Sequence, residues 1–302
     1  MITEILRCLL PGKLLGIMHD YKQVFFLLMP YLHNHQDFPK KSALENHVIF
    51  RMDDIQDYWV QVAQHAIMNL FITKNQKLSL GLIMGNIGRD SELIEKVGEG
   101  NHKGLFELCL HGWSHVIYPK LDEREQERSL LNANEKMRHL FGVSSSVFIV
   151  PYGLFDKNTV KVMSDIGLRI LSANGSAEYD FNKNKSTYVT RGKSNYDKAY
   201  QMIGNHAIYH IPTTLPFRLY LRGKRVEIPV EKLLNRIFIN VARNGYSVVA
   251  LHPQDFVHLD KKGNFTNVLQ EKAVKSISQL IDSILSKNLV ISSFSGITET
   301  RF

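Results

Sequence analysis

A chain of 302 residues, 44% hydrophobic and 22% charged, has an ordinary globular composition and enough length for one large α/β domain or two small ones. Its two cysteines, Cys8 and Cys109, exclude a disulfide framework and a Cys-x-x-Cys redox or zinc pair. No apolar run reaches the ~18 residues of a bilayer span, since Asp20 and Lys22 cut off the richest candidate, so no transmembrane segment is expected.

Residues 1–45 show no clear period and read as an N-terminal extension. Within it, 5–18 is apolar enough to suggest a signal peptide, but it carries Arg7, Pro11 and Lys13 and lacks a small-residue cleavage site. A cytoplasmic location is therefore favoured, with a secreted or cell-surface one left open. His33 and His35 would share one strand face; in a chain with 13 histidines they are read as surface residues rather than ligands.

From His47 onward, short apolar runs alternate with helix-period segments, the pattern of βα units around a parallel sheet. Val48-Ile49-Phe50 predicts a strand ending in Asp53 and Asp54, whose side chains should point different ways. A helix is expected over 58–74, where Trp59, Ala63, Ala66, Ile67, Leu70 and Phe71 recur at spacings of three and four. A strand over 78–83, a short helix over 91–97 and a strand over 106–110 follow, the last running straight into His111 and His115. The helix expected over 121–141 is acidic early and basic late, matching its dipole, and stops at Gly142. A strand over 147–150 ends at Pro151-Tyr152-Gly153, followed by a helix over 158–166 and a strand over 169–171.

The rhythm then breaks. Residues 183–226 hold nine basic side chains against one acid, Asp197, an excess as large as the net charge of +8 on the whole chain. With five tyrosines among them, this stretch suits an anionic partner. The alternation resumes with a helix over 229–242, a strand over 246–251 ending in His252-Pro253, a helix over 267–285 and a strand over 289–292. About seven βα units suit a barrel or an open doubly wound sheet.

In such folds, functional groups collect at the strand C-termini. Four predicted strand ends here carry Asp53-Asp54, His111 with His115, Pro151-Tyr152-Gly153, and His252-Pro253. Two imidazoles and one carboxylate leave open positions on a divalent metal such as zinc, which suits catalysis. A metal so held lowers the pKa of water from ~15.7 toward ~7.

In order and placement these residues resemble the motifs of the polysaccharide deacetylase family, carbohydrate esterase family 4. The family's Thr-Phe-Asp-Asp corresponds to Arg51-Met52-Asp53-Asp54, and its His-Ser/Thr-x-x-His to His111-Gly112-Trp113-Ser114-His115. Its Arg-x-Pro-Tyr-Gly corresponds to Ile149-Val150-Pro151-Tyr152-Gly153, and its Leu-His to Leu251-His252. The similarity runs over roughly 46–295. Three features depart from the pattern: Gly112 replaces Ser or Thr, Ile149 replaces the arginine, and the fourth motif, which supplies an acid and a tryptophan, has no match, Trp59 and Trp113 being the only tryptophans.

The resemblance implies an irregular (β/α) barrel over 46–302, with a basic insertion at about 173–228. It implies that Asp54, His111 and His115 hold the metal, zinc first with cobalt or nickel also suiting. Asp53 would be the base, the Tyr152 N–H an oxyanion donor, and His252 the acid that protonates the departing amine. Arg51, two residues before Asp53 and so on its face of the strand, is expected to stand in for the missing arginine. The implied activity is metal-dependent hydrolysis of N-acetyl groups on a carbohydrate. Hydrolysis of another amide or ester by the same site is the alternative, and a catalytically weak glycan- or nucleic-acid-binding relative is a third reading. The expected substrate is an N-acetylated glycan or small amide, and nucleic acid is the less expected partner.

Overall fold

The run HVIFRMDDI forms strand β1 (His47–Ile55), around which the sheet is laid out. Its inward and outward faces divide by alternation. Ile49 lies in an inner apolar cluster with Cys109, Ile149 and Val248, while Val48, Phe50 and Met52 pack outward under the helices. The same alternation turns Arg51 and Asp53 inward, and both are buried. The computed structural model describes residues 46–173, 177–180, 185–188, 208–221 and 224–299. The extension at 1–45 with His33 and His35, and the basic residues Lys183, Arg191, Lys193, Lys198 and Arg222, lie outside the described residues.

In chain order, β1 is followed by α1 (Gln61–Thr73), β2 (Leu78–Leu82), α2 (Ser91–His102), β3 (Phe106–Leu110), α3 (Glu123–Phe141), β4 (Val147–Ile149), α4 (Lys157–Asp165) and β5 (Ile170–Ser172). An antiparallel hairpin, β6 (Ala177–Asp180) with β7 (Lys185–Tyr188), precedes the two-residue strands β8 (Tyr209–His210) and β9 (Leu215–Pro216). A second hairpin, β10 (Arg218–Leu221) with β11 (Lys224–Glu227), leads to α5 (Val230–Asn244) and β12 (Tyr246–Leu251). A third, β13 (Val257–Leu259) with β14 (Phe265–Leu269), leads to α6 (Glu271–Leu285), β15 (Val290–Ser292) and α7 (Phe294–Glu299).

The main sheet runs β8-β5-β4-β3-β2-β1-β12-β9, with β15 also pairing β1, and every one of these pairings is parallel. Its two edges meet in one stretch of chain. Ile211 and Thr213 donate to Leu171 and Ala173 beside β5, while Thr214 and Phe217 donate to Val248 and Ala250 of β12. Residues 208–217 thereby close the sheet into an irregular (β/α) barrel, as the sequence led one to expect. The far end is plugged by α7, whose Phe294 and Ile297 join the inner cluster and whose first N–H groups donate to the Glu107 carboxylate at 2.8 Å. Among the described residues, no helix is long and apolar enough to cross a membrane.

Helix boundaries follow their caps. Asp122 and Asp156 each form a capping box, and Gly142 and Gly245 end α3 and α5 in the left-handed conformation. Three boundaries differ from expectation by three residues or more. Helix α2 runs on to His102, and Gly100 inside it serves packing rather than termination, since a Cβ there would lie 2.0 Å from the Phe106 ring. The helix expected over 267–285 begins only at Glu271, because 265–269 is a strand that turns Val268 to solvent. Helix α1 begins at Gln61 rather than 58, since Tyr58 and Val60 are left-handed (φ 56° and 39°).

Candidate active site

The structure brings together four strand ends, those carrying Asp53 and Asp54, His111 and His115, Tyr152, and His252. Asp54 does not simply alternate with Asp53. It takes φ 63°, and the register between β1 and β2 shifts between Met52 and Ile55. This irregularity turns its carboxylate toward the loop after β3. Asp54 Oδ1 lies 3.3 Å from His111 Nε2 and 3.2 Å from His115 Nε2. Atoms bound tetrahedrally at ~2.0–2.1 Å lie about 3.3 Å apart, so these spacings suit one small cation. His111 Nδ1 is 2.7 Å from the Ile149 carbonyl, which can only accept, so that nitrogen carries the proton and Nε2 faces Asp54. Burial and neighbouring His111 lower the His115 pKa, favouring the neutral imidazole a metal requires. Burial would raise the Asp54 pKa, but the hydrogen bond and charge of His111, with smaller contributions from His252 and Gln254, outweigh it and hold the carboxyl well below the usual range.

Gly112, which replaces the family's Ser or Thr, is explained locally. It adopts φ 85°, and a Cβ there would lie 2.8 Å from the Tyr118 hydroxyl, itself 2.8 Å from Ser129 Oγ. Gly112→Thr should therefore weaken binding of a divalent cation at these residues about fivefold or more, since left-handed strain of ~1–3 kcal/mol falls on the loop between His111 and His115. Chelator competition on the folded variant checks this.

Asp53 sits beside this set. Arg51 Nη2 donates to its Oδ2 at 2.8 Å, and both side chains are 4% exposed. Arg51 Nη1 donates to Ser172 Oγ, which donates to the Ile211 carbonyl, each at 2.8 Å. Asp53 Oδ1 is buried with no hydrogen-bond partner among the described residues. His252 Nε2 lies 3.9 Å from Asp53 Oδ2. Tyr152, left-handed at φ 58°, places its ring centroid 4.5 Å from that of His115, the two rings tilted by 51°.

Three further residues, not anticipated from the sequence, complete the rim. Asp255 is buried; its Oδ2 lies 3.8 Å from His252 Nδ1 and accepts the His252 N–H at 2.9 Å, while Oδ1 accepts from the Tyr220 hydroxyl at 3.0 Å. Gln254 donates to Asp54 Oδ2 at 3.2 Å. The available signal was the His-x-x-Asp spacing directly after a strand. The nearby basic residues with described contacts turn inward: Arg218 pairs with Glu227 at 3.3 Å, and Arg225 donates to the Gln254 carbonyl at 2.7 Å.

Burial disfavours the His252 cation, but Asp255, then Asp53 and Asp54, outweigh it and raise the pKa to about 9. A bound divalent cation would bring that value down. Asp255→Asn removes the first of these anions, so the imidazolium loses its proton at lower pH. The basic limb of the pH-rate profile should then move to lower pH by about one unit or more, while metal content stays constant.

Residues 19–171 match the family described as Polysaccharide deacetylase. The chain belongs to that family. With membership comes the enzyme class expected from the sequence, hydrolysis of acyl groups on carbohydrate. None of the curated proteins matches the chain. Among solved structures, a protein from Mycobacterium smegmatis named as a polysaccharide deacetylase aligns with TM-score 0.59 at 14% identity, over 88% of this chain and 92% of its own. The CE4 domain of a xylanase from the hindgut metagenome of Trinervitermes trinervoides aligns with TM-score 0.52 at 12% identity, over 85% and 91%. A CE4 family pseudoenzyme from Bacillus anthracis aligns with TM-score 0.50 at 12% identity, over 84% and 65%. At such identities these likenesses show the fold alone, and the case for chemistry rests on the site residues.

Proposed function

We propose that this deacetylase is a metal-dependent hydrolase of N-acetyl groups on a glycan, with 46–302 as its catalytic barrel and 1–45 as an extension. One observation carries the reading: two imidazole nitrogens lie 3.2–3.3 Å from one carboxylate oxygen of Asp54, beside a second, buried carboxylate held by Arg51. Asp54, His111 and His115 would hold the ion, and their donor set suits zinc, cobalt or nickel. When bound, the metal lowers the pKa of water and polarises the acyl oxygen. Asp53 accepts the proton of the attacking water, with Arg51 holding its carboxylate in place. The Tyr152 N–H donates to the oxygen on which negative charge develops. His252 Nε2 then gives its proton to the leaving nitrogen.

The last step favours an amide over an ester. An amine leaves only when protonated, and the anions around His252 favour its protonated form. The experiment is acetate release from oligomers of N-acetylglucosamine and from O-acetylated xylan, each with and without added zinc. Zinc-dependent release from the N-acetyl oligomers supports the proposal, and release from the O-acetyl substrate alone contradicts it.

A further inference from the structure

The loop between β1 and α1 holds an aromatic side chain that neither the barrel core nor the metal set requires. Trp59 and Phe265, from β14, are each more than a third exposed, and their rings meet edge to face with centroids 6.1 Å apart. Trp59 is flanked by two left-handed residues that are neither glycine nor asparagine, Tyr58 and the β-branched Val60. Such backbone persists only where its surroundings impose it. Here the fully buried Gln64 does so: its amide donates to the Trp59 and Gln56 carbonyls, and its Oε1 accepts from Gln56 N–H. Asn267 Oδ1 accepts from Val62 N–H at 3.0 Å, tying the same loop to β14.

The platform is continuous with the site. The Trp59 indole N–H points at Gln254 Oε1 at 3.5 Å, and the amide nitrogen of that same Gln254 donates to Asp54 at 3.2 Å. One amide group thus separates the indole from a metal ligand. Trp113, the chain's other tryptophan, is exposed to the same degree and carries Lys136 Nζ 5.3 Å from its ring centroid. What sets Trp59 apart is its pairing with Phe265 and its link through Gln254 to Asp54.

We propose that Trp59, flanked by Phe265, is a stacking subsite for a pyranose ring of the substrate chain. A pyranose with equatorial substituents shows a flat face of axial C–H groups, which packs on an aromatic ring while its hydroxyls stay hydrated. Large rigid aromatics provide such contact at small entropic cost, and the buried Gln64 clamp fixes the backbone that carries the indole before binding. The inference rests on the deacetylase reading for its substrate.

The test is calorimetric titration of zinc-loaded Asp53→Asn protein with the N-acetylglucosamine tetramer, so that binding is read without turnover. Adding Trp59→Ala should weaken the affinity about tenfold or more, Phe265→Ala about threefold, and Trp59→Tyr should recover most of the loss. In a Trp113→Phe background, the tetramer should shift the remaining indole fluorescence. Tetramer affinity unchanged by both Trp59→Ala and Phe265→Ala overturns the subsite, as does an absence of saturable binding. Phe265→Ala keeps the question open to a negative answer even if Trp59→Ala does not fold. Binding that depends on Trp59 without acetate release from wild type would sink the deacetylase reading alone. Release with intact Trp59→Ala affinity would sink only the subsite.

Discussion

Asp53→Asn should purify with its full complement of metal and lose about 10²–10⁴-fold in turnover, the usual contribution of a positioned general base. The two losses separate because the two acids face different partners. Asp54 meets both imidazoles, whereas Asp53 meets Arg51 and His252. An amide at position 53 still fills the space beside Arg51 but accepts no proton. Loss of metal from a folded Asp53→Asn protein would mean that the two carboxylates have exchanged roles. Turnover close to wild type would remove Asp53 from the chemistry.

Arg51→Met should be the second large effect, and its sign can be worked out. The guanidinium is the cation in contact with a buried carboxylate. Breaking such a pair by removing one partner costs about 3–5 kcal/mol. A neighbouring cation also favours the ionised carboxylate, and only that form can act as a base. Without Arg51, the Asp53 carboxylate loses the donor that holds it in place, so turnover should fall as well. Thermal melts read beside turnover rates check both statements. A metal-replete variant with wild-type rate and melting would show that Arg51 does not serve Asp53.

The parts of this site legible in the sequence were those carried by side chains at strand ends. Asp53, Asp54, His111, His115 and His252 each follow an apolar run, and strand geometry alone put Arg51 on the face of Asp53. The parts that were not legible depend on backbone atoms or on distant pairings. The Ile149 carbonyl orients His111 although its side chain is merely apolar. Tyr220 reaches Asp255 from a hairpin whose period is hidden in a charge-rich stretch. The short strands β8 and β9 close the barrel with two residues each, too few to show alternation. The amphipathic reading of 267–285 failed at its start for a related reason: Val268 fits the helical stripe but stands on the solvent face of a hairpin strand. The late start of α1 traces to Tyr58 and Val60, whose left-handed backbone no propensity would suggest.

The most direct test of the metal-dependent reading is a titration of stripped protein with zinc, following acetate release from the N-acetylglucosamine tetramer beside bound zinc per chain. The account predicts that both rise together and saturate at about one ion per chain, because Asp54, His111 and His115 are the one such ligand set among the described residues. In His115→Ala, neither tight zinc binding nor acetate release should appear. Full release from the stripped wild-type protein, or unchanged zinc content in His115→Ala, would contradict it.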